Sequence, residues 1–428
     1  MKKSSFILLT ALSASLLTAC GNIDEQQSSV SNKEEEVIIK IAWWGEQNRT
    51  DYTLEVIELF EEKHPGVHVE AEYAGWSDYW RRLAPQAAAN ELPDIIQMDL
   101  SYLTQYAESN QIADLSPYIG KQINIDHISD NAVSGGKING GIFGFNLGYT
   151  TSAYYYNASI LEEIGVDRIP VEWTWKEYKD FSVKAAEAGY ATGEGVGETQ
   201  VLFDYYLRTK GAKLFATGGS ELGYEDDQFF IDFYAMQKQL IEIGAAPTPD
   251  QTAQRTGPEE DPLGNGESFG GVGWAAQFQA VQQHAEDRLD LHVPPVDEDG
   301  TNGLYLKPSM FFSIAKQSEH KELAAEFINF FVNNEQANEL ILADRGIPVS
   351  SEIKQLLREK VPEAQAEVFD YISWAEHNSQ PMGGADPAFA NEVIEVLQHL
   401  AEQIVYGQKT VEDAAKEFRI KAESILSQ

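Results

Sequence analysis

From Val37 onward the chain switches between two hydrophobic periods. Val37 to Trp44 is an apolar run rich in β-branched residues and broken only by Lys40, a pattern that predicts a buried strand. Leu54, Ile57 and Phe60 then share one helical face, with Thr50 or Asp51 able to cap it and His64-Pro65-Gly66 to stop it. Val67, Val69, Ala71 and Tyr73 alternate with His68, Glu70 and Glu72, the period of a second strand. Tyr79 to Asn90 reads as a helix containing Pro85, Asp94 to Asp99 as a third strand, and Tyr102 to Ser109 as the helix after it. The order is β-α-β-α-β. Right-handed crossovers make such strands parallel, and an open parallel sheet takes ligands in the crevice beyond its carboxyl ends.

Three polar-aromatic turns converge on that crevice: Trp43-Trp44-Gly45-Glu46, Gly75-Trp76-Ser77-Asp78, and Met98-Asp99 with Tyr102. Each tryptophan falls where a strand ends, outside any amphipathic stripe, so flat aromatic faces line up with carboxylates that accept hydroxyl hydrogen bonds. A ring covering ~50 Å² of sugar C–H surface contributes on the order of 1 kcal/mol, so affinity requires several such platforms plus polar contacts. Farther on, Tyr149 to Asn157 predicts an apolar-aromatic strand, Ile160 to Gly165 a short helix, and Pro170 to Phe181 a turn-helix unit. Gly189 to Thr199 lacks the Gly-Lys-Ser/Thr ending of a phosphate loop and reads as a surface turn. Ala245 to Asn265 is a Pro/Gly/acid-rich loop. After it Gly270, Gly271 and Gly273 form a glycine turn beside Trp274, with a helix over Ala275 to Ala285. Met310 to Ala315 predicts a strand returning to the first lobe, Leu323 to Asn333 a helix, and Arg345 to Val349 a hinge-like turn. Trp374 to Pro387 reads as a polar-aromatic loop. Ile394, Leu397, Leu400 and Ile404 carry the following helix, and a last helix starts at Val411.

Ahead of all this, Lys2 and Lys3 precede an apolar run from Phe6 to Leu17, too short for a permanent membrane span and read as an export signal. The only cysteine, Cys20, closes Leu17-Thr18-Ala19-Cys20, which resembles the bacterial lipobox; the alternative is an ordinary signal peptide cut nearby, leaving a free thiol. Residues 1–19 are thus expected to be a signal peptide and 20–36 a lipidated tether. About sixteen flexible residues reach roughly 20–25 Å, and two acyl chains anchor stably where one is marginal. About 390 residues then remain, too many for one core, so two lobes are expected. Sixty-eight acidic against thirty-one basic residues give a net charge of −37, a surface that repels nucleic acid and anionic headgroups.

Several stretches together resemble the carbohydrate class of extracellular solute-binding proteins, the lipoprotein receptors of bacterial ABC sugar importers related to maltose-binding proteins. The resemblance is carried by Leu59-Phe60-Glu61 to Pro65-Gly66-Val67-His68-Val69, Leu92-Pro93-Asp94-Ile95-Ile96-Gln97-Met98-Asp99, Tyr154-Tyr155-Tyr156-Asn157 to Gly165-Val166, Trp173-Thr174-Trp175 and Gly346-Ile347-Pro348-Val349. It implies an α/β, two-lobed periplasmic-binding-protein-like fold of type II, each lobe a mixed β-sheet flanked by helices and joined by crossing hinge segments. Lobe 1 would be 37–147 and 307–349, and lobe 2 148–306 and 350–428. The resemblance places sugar contacts on Trp44, Glu46, Arg49, Trp76, Asp99, Tyr149, Trp274, Trp374 and Met382. The Gly75-Trp76 to Trp80-Arg81 stretch is similar to receptors for plant cell-wall oligosaccharides, including pectin-derived ones. An acidic sugar would need a desolvated cation, for which Arg49, Arg81 and Arg82 are candidates. The implied partners are a permease of two membrane subunits with an ATPase, and the implied location is the outer face of the cell membrane, lipid-anchored and monomeric.

Competing readings are weaker. Sixty-eight acids guarantee apparent glycosidase-like pairs, but such a pair is defined by its separation in space, and the chain carries no nucleophile elbow. No cofactor or metal is expected: Pro65 and Gly66 break the helix that would align His64 with His68, and Asp297-Glu298-Asp299-Gly300 lacks the later ligands of a calcium loop.

Overall fold

The structure, a computed structural model, describes residues 36–193, 196, 199–216, 219–255 and 260–428. The expected signal, Cys20 and the tether up to residue 35 lie outside these residues, as do Glu194, Gly195, Gly197 and Glu198 of the glycine-rich turn and residues 256–259 of the Pro/Gly/acid loop.

The first six elements follow the expected order: β1 (Val37–Trp44), α1 (Gln47–Lys63), β2 (Val67–Ala74), α2 (Trp76–Ala89), β3 (Ile95–Met98) and α3 (Leu100–Glu108). β1 pairs in parallel with β2 from Val37↔Val67 to Trp44↔Ala74 and with β3 at Ile41↔Ile95. Strand Phe311–Ile314 returns antiparallel to β3, and Phe145–Asn146 closes the five-stranded sheet. Helix starts differ from expectation. α1 begins at Gln47, because Thr50 is buried inside its first turns instead of capping from outside. α2 begins at Trp76, so Trp76-Ser77-Asp78 is a helical turn and not a loop.

A second sheet, ordered Leu289–His292, Ser152–Asn157, Ser268–Trp274, Ala191–Thr192, belongs to the other lobe. The single strand expected over Tyr149–Asn157 is two, Gly148–Thr150 and Ser152–Asn157. The first half pairs instead with Lys307–Pro308 and Ile347–Pro348 in a small antiparallel sheet. That three-stranded sheet joins the segments on which the chain passes between lobes, and Arg345–Val349, expected as a turn, supplies one strand of it. Packing there is close: a Cβ on Gly148 would lie 2.7 Å from the Arg345 carbonyl.

One apolar core gathers residues such as Ile41, Phe60, Ile96, Phe145, Phe312 and Phe331, and another gathers Tyr154, Trp173, Phe203, Phe233, Leu400 and Phe418. A third set, including Tyr155, Phe278, Ile347, Leu357 and Phe369, packs beside the crossing strands. In the second core, Thr174 caps helix Trp175–Ala188 in a reciprocal pair with Glu177. Gly270 and Gly273 sit on a strand, not on the expected turn. A side chain at Gly270 would overlap the Tyr154 hydroxyl, and a Cβ on Gly273 would lie 2.8 Å from that of Tyr155. Those glycines make room for tyrosine rings, and their strand pairs with Ser152–Asn157. Among the described residues no helix is long and apolar enough to cross a membrane.

Candidate functional site

β1 ends at Trp44, and alternation sends neighbouring side chains to opposite faces. Trp43 is fully buried against Tyr73, ring centroids 5.3 Å apart. Trp44 is covered by the first turns of α2, with Trp76, Tyr79 and Trp80 at 5.0, 5.4 and 5.7 Å. Trp44 is 8% exposed beneath these rings. Trp76 is the member of this cluster that reaches solvent, at 45% exposure, and its ring stands 6.4 Å from Tyr102 on α3. Tyr102 is itself fixed by stacking on Trp80 at 3.7 Å.

Asp99 occupies the N-cap of α3, where one carboxylate oxygen accepts from the Ser101 amide at 2.9 Å and the Ser101 hydroxyl at 2.7 Å. Its other oxygen lies 3.6 Å from the Lys307 ammonium. Lys307 comes from the crossing strand and sits 5.1 Å from the centre of the Trp274 ring. Trp274 meets Tyr305 edge to face at 6.4 Å, and the Arg208 guanidinium covers Tyr305 at 3.8 Å. Arg208 also donates to Asp204 at 2.7 Å and to the Met382 carbonyl at 3.2 Å. A continuous line of aromatic and charged side chains thus runs from Trp76 through Tyr102, Asp99, Lys307, Trp274 and Tyr305 to Arg208.

The lobes meet along this line. Thr104 on α3 donates to the Asp386 carbonyl at 2.6 Å, and Asn391 donates to the Ser101 carbonyl at 3.1 Å. Burial raises the Asp386 carboxyl to about 6; Lys307 and Arg208 hold it down, while Asp204 and Asp99 push it further up. Burial also raises the Tyr305 hydroxyl, as do the Asp204 and Asp386 charges. The arrangement offers two cations, three carboxylates and stacking faces, a set suited to hydroxyl and carboxylate recognition.

Of the expected contacts, Trp76, Asp99, Trp274 and the Met382 backbone come together on this line. Arg49 does not. Its Nε donates to Asp344 at 2.7 Å and its Nη1 to the Trp44 carbonyl at 3.4 Å, so its charge is spent inside lobe 1. Arg81 is exposed and paired with Asp78 at 2.7 Å. Tyr149 is half-buried on a crossing strand, where burial pushes its hydroxyl up to about 12. Glu46 is exposed at the start of α1. Trp374 lies inside helix Glu363–Asn378, not in a loop, stacked on Tyr371 at 6.0 Å and 42% exposed. Sequence reasoning missed Lys307, Arg208, Asp204, Tyr305 and Asp386. Only Leu306-Lys307-Pro308, a cation just ahead of the returning strand, offered a local signal.

An aromatic and charged line where two lobes meet over three crossing strands is the architecture of a solute-binding fold. Residues 46–338 match the model of the bacterial extracellular solute-binding protein family, and the chain belongs to that family. An uncharacterized lipoprotein in the oleD 5′ region of Streptomyces antibioticus is 25% identical over 318 residues, 70% of this chain and 67% of that protein. A carbohydrate ABC transporter substrate-binding protein of Streptococcus pneumoniae is 24% identical over 174 residues, 39% of this chain and only 35% of that protein. A family 1 extracellular solute-binding protein from Alicyclobacillus acidocaldarius superposes with a TM-score of 0.68 at 26% identity, covering 93% of this chain and all of that one. A periplasmic oligogalacturonide binding protein from Yersinia enterocolitica, solved with saturated digalacturonic acid, superposes at 0.79 with 23% identity, covering 91% and 99%.

Proposed function

We propose that this protein is the substrate-binding receptor of a carbohydrate ABC importer, capturing an oligosaccharide between its lobes and handing it to a permease and ATPase. The observation that carries this reading is the aromatic and charged line crossing the lobe junction, with Trp76 and Trp274 as stacking faces and Asp99 and Lys307 between them. Ligand bridging both lobes selects the closed arrangement, in which Thr104 and Asn391 bind across the seam. In this reading Trp76, Asp99, Trp274 and Met382 contact the sugar, with Glu46, Tyr149 and Trp374 at or beyond the margins of the site. The lobes divide as 37–147 with 307–349 and 148–306 with 350–428. The family description and the pneumococcal relative's name support the transport role. The protein binds without turning its ligand over, is anchored through a lipid on Cys20 at the outer face of the membrane, and acts as a monomer.

A thermal-shift screen of the purified protein against neutral and uronic-acid oligosaccharides tests this, since a ligand that binds only the folded state raises its melting point. A shift with one sugar class, with the sugar recovered intact, is expected. No shift across the panel, or release of shorter products, would overturn the proposal.

A further inference from the structure

We infer that Lys307 is the specificity-determining residue of the site and that it receives the carboxylate of a uronic-acid unit. This rests on the oligosaccharide reading above and narrows it to acidic sugars.

Lys307 sits where both lobes contribute. Its strand pairs with Gly148–Thr150, its ammonium faces Asp99 of lobe 1, and the Trp274 ring of lobe 2 lies beside it. Its side chain is only 16% exposed, yet among the described residues Nζ makes no hydrogen bond. The nearest carboxylate oxygen, at 3.6 Å, is beyond hydrogen-bond range, and the opposite oxygen of Asp99 is already occupied by Ser101. An ammonium has three donors, and an ion pair at this distance leaves them open to solvent or to a ligand. A ligand carboxylate over the Trp274 edge of the site would fill them, while the sugar ring covers the aromatic face.

The other cations named for this role are placed differently, Arg82 among them, which is exposed on α2. Arg49 is held by Asp344, Arg81 stands in solvent beside Asp78, and Arg208 is committed to Asp204, the Met382 carbonyl and the Tyr305 face. Asp99, Asp204 and Asp386 lie around Lys307 and Arg208, and burial raises the Asp386 carboxyl to about 6, so protonating it offsets the repulsion an incoming carboxylate meets there. An incoming carboxylate raises it further, so binding an acidic sugar draws a proton onto Asp386.

The test is calorimetric titration of the full chain in mild detergent with digalacturonic acid and with its neutral counterpart, α-1,4-galactobiose. Wild type is expected to bind the acid at least about tenfold more tightly, with net proton uptake near pH 6. Lys307→Gln should weaken the acid by roughly thirtyfold or more and the neutral sugar by less than about threefold, whereas Lys307→Arg keeps most of the preference. Melting curves establish that each variant is folded, and the acid-to-neutral ratio of wild type tests the idea without any variant. A wild type that prefers the neutral sugar, or a Lys307→Gln protein that loses both equally, would overturn the assignment and leave Lys307 as a partner of Asp99 alone. Binding of neither these nor other oligosaccharides would instead overturn the receptor reading.

Discussion

Removing the Asp344 carboxylate should destabilise lobe 1 while leaving ligand preference unchanged. Asp344 precedes Arg345 at the hinge, and one of its oxygens accepts from Arg49 Nε at 2.7 Å and from the Tyr52 hydroxyl at 2.8 Å. The neighbouring Arg345 guanidinium is 1% exposed. It donates to Tyr52 at 2.7 Å, to Thr53 at 3.1 Å and to Gln97 at 3.0 Å, and lies 4.9 Å from the Phe331 ring centre. Burial lowers the Arg345 guanidinium to about 10. Burial pushes the Asp344 carboxyl up, but the Arg49 charge and the hydrogen bonds from Tyr52 and Arg49 outweigh it and hold it below the ordinary aspartate value.

In Asp344→Ala two arginines face each other with no counter-charge. Breaking a buried ion pair costs about 3–5 kcal/mol, and the partial exposure of Asp344 reduces this to about 2–4 kcal/mol. With an unfolding entropy of about 2 cal/mol/K per residue, that is a fall in melting temperature of about 3–5 °C for the whole body, and more if lobe 1 melts alone. Calorimetric melting at pH 7 reads it. Because the folded carboxyl is the stronger acid, its contribution is complete above the unfolded value near 4 and disappears as pH falls through the lower folded value, so variant and wild type should converge in strong acid. A melting point within about 1 °C of wild type at pH 7 would refute the network's structural role.

Three further outcomes are expected. Trp76→Ala and Trp274→Ala should each weaken oligosaccharide binding by about tenfold at unchanged melting temperature, whereas Trp44→Ala, at a buried position, should cost about 3–5 kcal/mol of stability; titration and melting of the three variants separate platform from packing. Asp386→Asn should stabilise the protein at pH 8 and not below pH 4, because a carboxyl raised to about 6 in the fold disfavours folding once pH passes from its unfolded value through the folded one. The gain is at most about 3 kcal/mol, which solvent screening reduces. Cys20→Ser should move the protein from the membrane to the soluble fraction; a variant that stays membrane-bound after carbonate washing would rule out the lipid anchor.

Local pattern carried the first half of lobe 1. β1, β2 and β3 and their parallel order follow from apolar runs, period-two alternation and crossover handedness, all of which reside in neighbouring residues. The same pattern placed Asp99 at the end of β3 and Trp76 beyond β2, because strand ends are local events. It could not say that neither of the adjacent tryptophans ending β1 faces solvent. Trp44 is buried because α2 starts three residues earlier than its apolar stripe suggests and covers it. Nor could it distinguish a free arginine from Arg49, whose partner Asp344 lies 295 residues away in sequence.

The sequence by itself determined the lobe 1 sheet and the kind of side chain presented at its edge. Only the tertiary structure decided which side chains meet at the lobe junction. Lys307, Arg208, Tyr305 and Asp386 come from segments with no shared period or spacing, and they meet because three crossing strands and the lobe 2 loop after Trp374 fold back onto α3. Charge and burial at such a junction depend on distances between remote residues, and no run of neighbouring residues encodes them.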